Sequence, residues 1–381
     1  MGKKCYQLRR SSLVAITTAS FYMKGSETLA KKGRTTVYNS ITSETTTSQI
    51  NPENIELMED FLDYLQSIDR SKGTIKSYRS DLLIFFTIVL EKLNNKSFID
   101  ITKREFARLQ SYFINDLGWS SCRVRRVKST ISSMSNFITD ILDEEEKYQD
   151  FKKTINRVES PVKEAVREKT ILSDEQVDFL LDTLVEKKKY QAACAVALAI
   201  FSGARKSELT RFKVEYFNEE NIIFDALYKT SEKIKTKGRG KGKFIYKYVL
   251  LDFKKYFDLW MAERERLGID SEWLLVSKVT DKNGVHYEQA GITLLDSYAE
   301  TCSRILGIPF YFHSMRHNLV SRLSKYNIPS NIIVEFVGWS KEGGSAMIGI
   351  YDDNEAVDDF GKYFSADGIV VQEEKSFSDL K

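Results

Sequence analysis

Apolar residues recur at helical spacing along residues 53–142, where four amphipathic stripes follow one another. A stripe with this period predicts one helix with one buried face. Thr102 and Glu105 form a capping box at the start of the third helix, and Ile101 and Phe106 flank it as a hydrophobic staple. The other stripes consist of Ile55, Met58, Leu62 and Leu65, then Ile75, Tyr78, Leu82, Phe85 and Val89, and finally Val124, Val127, Ile131, Met134, Ile138 and Ile141. The pattern predicts a compact helical domain over residues 51–145.

A second domain is predicted from residue 171 to residue 364. Residues 146–170 are highly charged and contain a Ser-Pro step, which favours a linker between the two domains. Ser173 and Gln176 make another capping box close to the start of the second domain. The uninterrupted apolar run Ala192–Phe201 is too short to span a membrane, so it predicts a helix that is buried on all sides.

Further along, β-branched and aromatic residues concentrate in Ile222–Tyr228 and Phe244–Leu251, which predicts two strands. Between them, residues 233–243 carry a basic strand and a glycine-rich turn. After the second predicted strand, the pattern to about residue 360 predicts helices. The predicted fold class is therefore mainly α with a small antiparallel β-sheet in the second domain.

Charge is unevenly distributed along the chain, although the net charge is only +3, from 57 basic and 54 acidic residues. The first 40 residues hold eight Lys and Arg against one Glu, and they are rich in Ser and Thr. Residues 1–50 are therefore predicted to be a basic arm or a small accessory DNA-binding region. Residues 201–250 hold twelve basic and six acidic residues. Residues 351–381 hold three basic and nine acidic residues. Residues 365–381 are predicted to be a C-terminal tail.

The cellular setting is indicated by what the sequence lacks. Its four cysteines, Cys5, Cys122, Cys194 and Cys302, show no CxxC spacing, so a disulfide framework or a zinc site is not expected. The N-terminal residues lack the apolar core of a secretory signal. The sequence predicts a protein of a reducing cytoplasm, without a membrane partner.

Three histidines occur in the chain, and two of them belong to the segment His313-Ser-Met-Arg316-His317. On a helix this spacing puts both histidines and Arg316 on one face. Upstream lies Ser202-Gly-Ala-Arg205-Lys-Ser-Glu208-Leu, a glycine turn that enters a helix. Downstream lie Val337-Gly-Trp339-Ser and then Ala346-Met-Ile-Gly-Ile-Tyr351.

Together these segments resemble the tyrosine recombinase (phage integrase) family, whose signature has the same elements in the same order. The resemblance covers about residues 165–360, and the helical segment before them matches the core-binding domain of that family in position and type. It implies a two-domain DNA clamp, with a helical core-binding domain and a catalytic domain. An arm before the core-binding domain resembles mobile-element and phage integrases more than a minimal chromosome-dimer resolvase.

The resemblance also implies a role for each matching residue. Tyr351 is the nucleophile, Arg205 and Arg316 bind the scissile phosphate, and His313 is the general acid or base. Trp339 stands where most members have His, and its indole N–H can donate to a phosphate oxygen. Glu208 and His317 support the site. Planar guanidinium groups suit a phosphoryl group, and cationic side chains can replace metal ions, so neither a metal nor another cofactor is expected.

Some assignments remain open among alternatives. Tyr363 competes with Tyr351, which lies three residues further from Trp339 than the family's usual spacing. The family's leaving-group lysine lies on the hairpin, where Lys237 is the first candidate and Lys235 the second. The predicted DNA-binding residues are the basic start of the fourth helix and the rest of the hairpin, namely Arg123, Arg125, Arg126, Lys128, Arg239, Lys241 and Lys243.

The predicted function is site-specific recombination or integration through a 3′-phosphotyrosine intermediate, in the integration or excision of a phage or mobile element. The expected partner is double-stranded DNA with specific sites, bound by a homo-tetramer that is monomeric when free, together with accessory DNA-bending proteins. The expected location is a bacterial cytoplasm, on the nucleoid when DNA is bound. Two alternatives remain: a type IB topoisomerase, and a catalytically silent DNA-binding regulator on the same scaffold.

Overall fold

The computed structural model describes residues 34–163, 172–236, 242–282, 284–340, 343–344, 346–348, 364–365 and 368–369. Within them, buried apolar side chains form one core before residue 160 and two adjoining cores after residue 171. Mainly helical structure with small antiparallel sheets surrounds these cores, so the predicted fold class is confirmed.

Six α-helices build the first unit, and the four predicted helices are among them. They are α1 Arg34–Ile41, α2 Glu44–Ser48, α3 Pro52–Ser67, α4 Lys72–Lys92, α5 Lys103–Asn115 and α6 Ser121–Ile141. The predicted capping box of α5 is present: the Thr102 hydroxyl accepts from the Glu105 N–H, and the Glu105 carboxylate accepts from the Thr102 N–H. Phe85 of α4 stacks on Phe106 of α5 with ring centroids 6.0 Å apart, which fixes both helices against one core.

The flanking segments pack on this helical core as well. Helices α1 and α2 contact α4, and Val37, Tyr38 and Ile41 lie against the core. On the other side, the 3₁₀ turn Thr154–Arg157 contacts α5 and α6, and Ile155 is buried there. The structure thus adds part of the predicted arm and part of the predicted linker to the first unit, while the predicted domain boundaries stay predictions.

The second unit is built around the apolar helix that the sequence predicts. Its helices are α7 Asp174–Glu186, α8 Tyr190–Ser202, α9 Lys206–Leu209, α10 Lys254–Leu267, α11 Ile292–Leu306, α12 Phe312–Lys325 and α13 Ser330–Val337. Helix α8 is buried from Ala192 to Ser202 and packs against α7, α10 and α12. The capping box of Ser173 and Gln176 at the start of α7 is confirmed.

Several short strands complete the second unit, all in antiparallel pairs. They are β1 Ile222–Ile223, β2 Leu227–Lys229, β3 Ile234–Lys235, β4 Phe244–Ile245, β5 Tyr248–Leu250, β6 Val276–Asp281, β7 Gly284–Gln289, β8 Phe364–Ser365 and β9 Gly368–Ile369. The described strands form a three-stranded sheet in the order β1-β2-β5 and the hairpins β3-β4, β6-β7 and β8-β9.

The two predicted strands are each divided in the structure, so the prediction of single strands is wrong. Phe224 and Asp225 adopt left-handed φ angles of 56° and 53°, which folds Ile222–Tyr228 into the tight β1-β2 connection. The stretch Phe244–Leu251 changes partner instead, because β4 pairs with β3 whereas β5 pairs with β2. Lys247 lies at this change of partner.

The β6-β7 hairpin corrects the prediction that the chain is helical from the end of the second predicted strand to about residue 360. Its strands alternate weakly in polarity, and only Val276 among their described residues is buried. Without a buried face there is no period of two for a sequence pattern to show.

Candidate active site

Arg205 and Glu208 are placed together by a tight turn between α8 and α9. Gly203 ends α8 with a φ of +57°, where a Cβ atom would lie 2.9 Å from Leu319 Cδ2. Glu208 lies one turn further on and accepts hydrogen bonds of 2.9 Å from both the backbone N–H and the Nη1 of Arg205. The Arg205 side chain is 29% exposed, which leaves it accessible from solvent, whereas the Glu208 side chain is fully buried.

Lys247 supplies the buried counter-charge of Glu208. Its Nζ lies 2.7 Å from Glu208 Oε2, and neither side chain is exposed. Burial raises the pKa of Glu208, but the Lys247 ammonium and the N–H groups of Arg205 outweigh burial and lower this pKa to about 2. Burial lowers the pKa of Lys247 to about 8, with the positive charges of Arg316 and Arg205 acting in the same direction against Glu208.

Arg316, on α12, is fully buried and is held by two backbone carbonyls. Its Nη1 donates to Gly203 O at 2.7 Å, and its Nη2 donates to Val337 O at 2.8 Å. The Arg316 Cζ also lies 5.2 Å from the centre of the Trp339 ring. Two carbonyls fix the plane of the guanidinium, and the indole covers one of its faces.

Trp339 is brought to this position by the end of α13. Gly338 terminates the helix with a φ of +73°, and a Cβ atom there would lie 2.1 Å from Ile245 Cδ1. Only glycine fits between α13 and strand β4, so the Gly-Trp pair of the sequence motif also brings the basic hairpin against the site.

The two motif histidines share one face of α12, as their spacing predicts. Their ring centroids are 5.6 Å apart. Partial desolvation of the His313 ring lowers its pKa, and the positive charges of His317, Arg316 and Arg205 lower it further. Because an unperturbed histidine has a pKa near 6.5, His313 is neutral at pH 7 and one ring nitrogen is able to accept a proton.

The basic hairpin reaches the same site from the side of Arg205. Arg205 Nη1 lies 3.5 Å from Thr236 Oγ1, and the Thr236 N–H donates to Lys243 O at 2.7 Å. Lys243 Nζ in turn lies 3.5 Å from Trp339 O. Lys235 is exposed and is paired with Phe244, one position along the strand from Thr236. The Lys243 side chain is therefore directed towards Trp339, at the edge of the site.

The remaining predicted site residues, Lys237, Arg239, Lys241 and Tyr351, lie outside the described residues, as does the competing Tyr363. Their assignments stay predictions. The structure therefore brings together Arg205, Glu208, His313, Arg316 and Trp339, with Lys243 at the edge.

The four basic residues at the start of α6 divide into two pairs, and each pair contacts a different part of the first unit. Arg126 and Arg123 lie 2.7 and 3.7 Å from the buried carboxylate of Asp81 on α4. Arg125 donates to Pro161 O at 2.9 Å, and Lys128 donates to Val158 O. All four predicted DNA-binding residues thus contact protein groups in this conformation, and their part in DNA binding stays a prediction.

Sequence reasoning missed Lys247. A signal for it does exist in the strand pattern, since Lys247 is the only charged residue in Phe244–Leu251. A single lysine in an apolar and aromatic strand indicates a buried ion pair, because lysine is almost never fully buried unpaired.

Metal-binding clusters and membrane-spanning helices are both absent from the described residues. No group of three or more His, Cys, Asp or Glu side chains there could hold a metal ion. Among the same residues, every helix is either too short or too polar to cross a membrane.

Known proteins resemble this chain most clearly over its second unit. Residues 170–356 match the model of the phage integrase family. A recombinase-like protein derived from the SPbeta prophage of Bacillus subtilis (strain 168) is 29% identical over 231 residues, which cover 60% of this chain and 67% of the relative. A tyrosine recombinase of Thermosipho africanus (strain TCF52B) is 27% identical over 161 residues, which cover 42% of this chain and 53% of the relative.

A solved structure extends the similarity to both units. The lambda integrase tetramer bound to a Holliday junction superposes with a TM-score of 0.56 at 16% identity, over 78% of this chain and 76% of the integrase chain. At this identity the likeness concerns the fold. The fold, the arrangement of Arg205, Arg316 and His313, and the family match agree on one class of enzyme, the tyrosine recombinases. Residues 170–356 are thus a phage integrase domain, which confirms the predicted tyrosine recombinase family and enzyme class.

Proposed function

We propose that the protein is a site-specific DNA recombinase that cuts and rejoins duplex DNA for the integration or excision of a phage or mobile element. The observation that carries this proposal is the convergence of Arg205, Arg316, His313 and Trp339 at one place. Two guanidiniums and a neutral histidine are the groups that in-line displacement at a phosphodiester requires when no metal takes part.

In the proposed reaction, the Tyr351 hydroxyl attacks the scissile phosphorus. The bond from phosphorus to the 5′-oxygen breaks, which leaves a 3′-phosphotyrosine and a free 5′-hydroxyl. His313 accepts the tyrosine proton, and Lys237 donates a proton to the departing 5′-oxygen. A 5′-hydroxyl of the partner duplex then attacks the phosphotyrosine phosphorus and gives its proton to Lys237. The bond from phosphorus to the Tyr351 oxygen breaks, Tyr351 takes its proton back from His313, and a phosphodiester is restored. No net bond energy is lost, so the cycle needs no nucleotide cofactor.

Arg205 and Arg316 have different parts in this proposal. Arg205 is partly exposed and meets the phosphate from solvent, whereas Arg316 is held in a buried, fixed orientation by Gly203 O and Val337 O. Preorganised donors of this kind stabilise the charge that develops on the phosphorane without reorganising during the step.

Duplex DNA is the proposed partner, gripped by the helical unit and the catalytic unit. The lambda integrase structure is a tetramer on a Holliday junction, and four protomers on two sites are proposed here as well. Lys243 and the basic start of α6 supply phosphate contacts in this assembly. Accessory DNA-bending proteins and a cytoplasmic, nucleoid-bound location remain part of the proposal.

The proposed function is tested with supercoiled plasmids that carry the DNA flanking the gene, since inverted core sites often adjoin such genes. We expect a covalent protein–DNA adduct, and recombinants only when two sites are present. Relaxation that needs no paired sites would instead identify a topoisomerase. Specific binding without any adduct would identify a silent regulator.

The hairpin lysines are separated by a substrate whose 5′-bridging oxygen is replaced by sulfur. Thiolate leaves with little need for a proton, so a variant that lacks the proton donor is rescued on this substrate. We expect Lys237→Ala to cleave ordinary DNA poorly and the sulfur substrate almost normally. Single-turnover cleavage of both substrates is the measurement.

Lys235→Ala and Lys243→Ala serve as matched comparisons. We expect Lys243→Ala to weaken DNA binding and to lower the salt dependence of binding by about one unit of slope, without selective rescue. Selective rescue of Lys243→Ala would move the proton donor to the residue directed towards Trp339. Rescue of none of the three variants would leave His313 as the leading candidate.

A further inference from the structure

Lys247 is a buried lysine for which the proposed reaction has no role. Its backbone is fixed by Thr230, because the Lys247 N–H donates to Thr230 Oγ1 at 3.1 Å and the Thr230 N–H donates to Lys247 O at 3.0 Å. Its side chain is fully buried and runs towards α9 and the end of α13. DNA therefore does not reach it, and a role in phosphate binding is excluded.

The Lys247 ammonium lies between the partners of the two arginines. The Lys247 ammonium pairs with Glu208 Oε2 at 2.7 Å, while Arg205 Nη1 pairs with Glu208 Oε1 at 2.9 Å. It also lies 3.4 Å from Val337 O, the carbonyl that accepts from Arg316 Nη2 at 2.8 Å. One side chain thus connects the carboxylate that holds Arg205 with the carbonyl that holds Arg316.

Charge balance explains what this connection does. If Lys247 were absent, Arg205 would be the only cation paired with Glu208. A carboxylate with both oxygens available binds a guanidinium in a bidentate manner. Arg205 would then be drawn away from an incoming phosphate. With Lys247 present, each oxygen of the Glu208 carboxylate pairs with a different cation. The positive charge of Arg205 is then only partly neutralised and can attract the phosphate of the substrate.

We propose that Lys247 is a positioning residue of the recombination reaction: it holds Glu208 and the Val337 carbonyl so that Arg205 and Arg316 face the scissile phosphate together. The inference rests on the proposed function. It concerns the rate of cleavage and leaves the affinity for DNA unchanged, since Lys247 contacts protein groups only.

The first test compares Lys247→Met, Glu208→Gln and the double variant in single-turnover cleavage. A misplaced reacting group costs up to about 10²-fold in rate, and we expect Lys247→Met to lose about this much without a change in DNA affinity. The double variant removes the unbalanced carboxylate as well, so we expect it to cleave about tenfold faster than Lys247→Met. Lys229→Met, a lysine of the same sheet outside the site, is the control with normal cleavage.

These variants separate positioning from stability. Loss of one partner of a buried ion pair lowers stability, so thermal unfolding of each variant is recorded alongside cleavage. Normal cleavage by Lys247→Met overturns the inference, as does a double variant that is no faster than Lys247→Met. Wild-type protein must cleave the same substrate. If it does not, the proposed function itself is overturned.

The second test uses pH, because burial gives Lys247 a pKa of about 8. The groups that face it are Glu208, with a pKa of about 2, and the two arginines, so none of these changes charge between pH 7 and pH 9. At subsaturating DNA the rate reports the free enzyme. We expect the rate ratio of wild type to Lys247→Met to shrink as pH rises from 7 to 9, since wild type loses the Lys247 charge. A constant ratio overturns the inference.

Discussion

Replacement of Tyr351 by Phe is expected to abolish the covalent adduct with DNA while DNA binding survives. The change removes one oxygen, the proposed nucleophile, and leaves the ring and the charge of the protein as they are. The measurement is a suicide substrate with a nick beside the scissile phosphate, which traps the adduct on a denaturing gel. A native gel with the same DNA reports binding.

Tyr363→Phe is the matched control and should form the adduct normally. Several described tyrosines are unsuited to the role, because burial, the largest contribution, raises the pKa of Tyr216 and Tyr256 to about 12 and also raises the pKa of Tyr298. A nucleophilic tyrosine has to give up its proton, so these side chains are poor competitors. An adduct retained by Tyr351→Phe and lost by Tyr363→Phe would move the nucleophile to Tyr363.

The helical half of the fold was predictable because its signals are local. An amphipathic stripe, a capping box and a staple each lie within a few residues, as at Thr102 and Ser173. Helix α8 shows the same principle, since ten of its eleven consecutive buried residues form the unbroken apolar run Ala192–Phe201. Local consistency of this kind needs no knowledge of the rest of the chain.

The strands were less predictable because their partners are distant. The change of pairing at Lys247 depends on β2 and β3, which lie on the far side of the basic turn. The β6-β7 hairpin buries almost none of its side chains, so its sequence alternates only weakly in polarity. Pairing between segments is a property of the folded chain, and a pattern along one segment reports only burial of that segment.

The site divides in the same way. Arg205, His313, Arg316 and Trp339 were predictable because each belongs to a short motif with a fixed order. The contribution of Lys247 depends on a contact with Glu208 across 39 positions of sequence, so the strand pattern can indicate a buried lysine but not its partner. At the basic start of α6, the sequence shows adjacent charges but not their partners, which helical geometry divides between Asp81 and residues 158–161.

Arg316→Lys is expected to lose cleavage even though it keeps the positive charge. The guanidinium donates to Gly203 O and Val337 O at 2.7 and 2.8 Å through two different nitrogens, and its plane lies against Trp339. An ammonium is a point charge on one nitrogen and cannot span both carbonyls or two phosphate oxygens. Loss of one preorganised donor costs about 10²–10³ in rate, and we expect a loss of this size in single-turnover cleavage.

Arg205→Lys should show a loss of similar size for a related reason. Its Nη1 is bound to Glu208 Oε1, so the fork of the guanidinium is what allows Arg205 to keep Glu208 and take a phosphate oxygen at once. Arg266→Lys is the control, because Arg266 is 67% exposed and pairs with Glu263 on the surface of α10. Thermal unfolding of all three variants separates loss of chemistry from loss of fold. Near-normal cleavage by either active-site variant, with a normal melting temperature, would place that arginine outside the catalytic site.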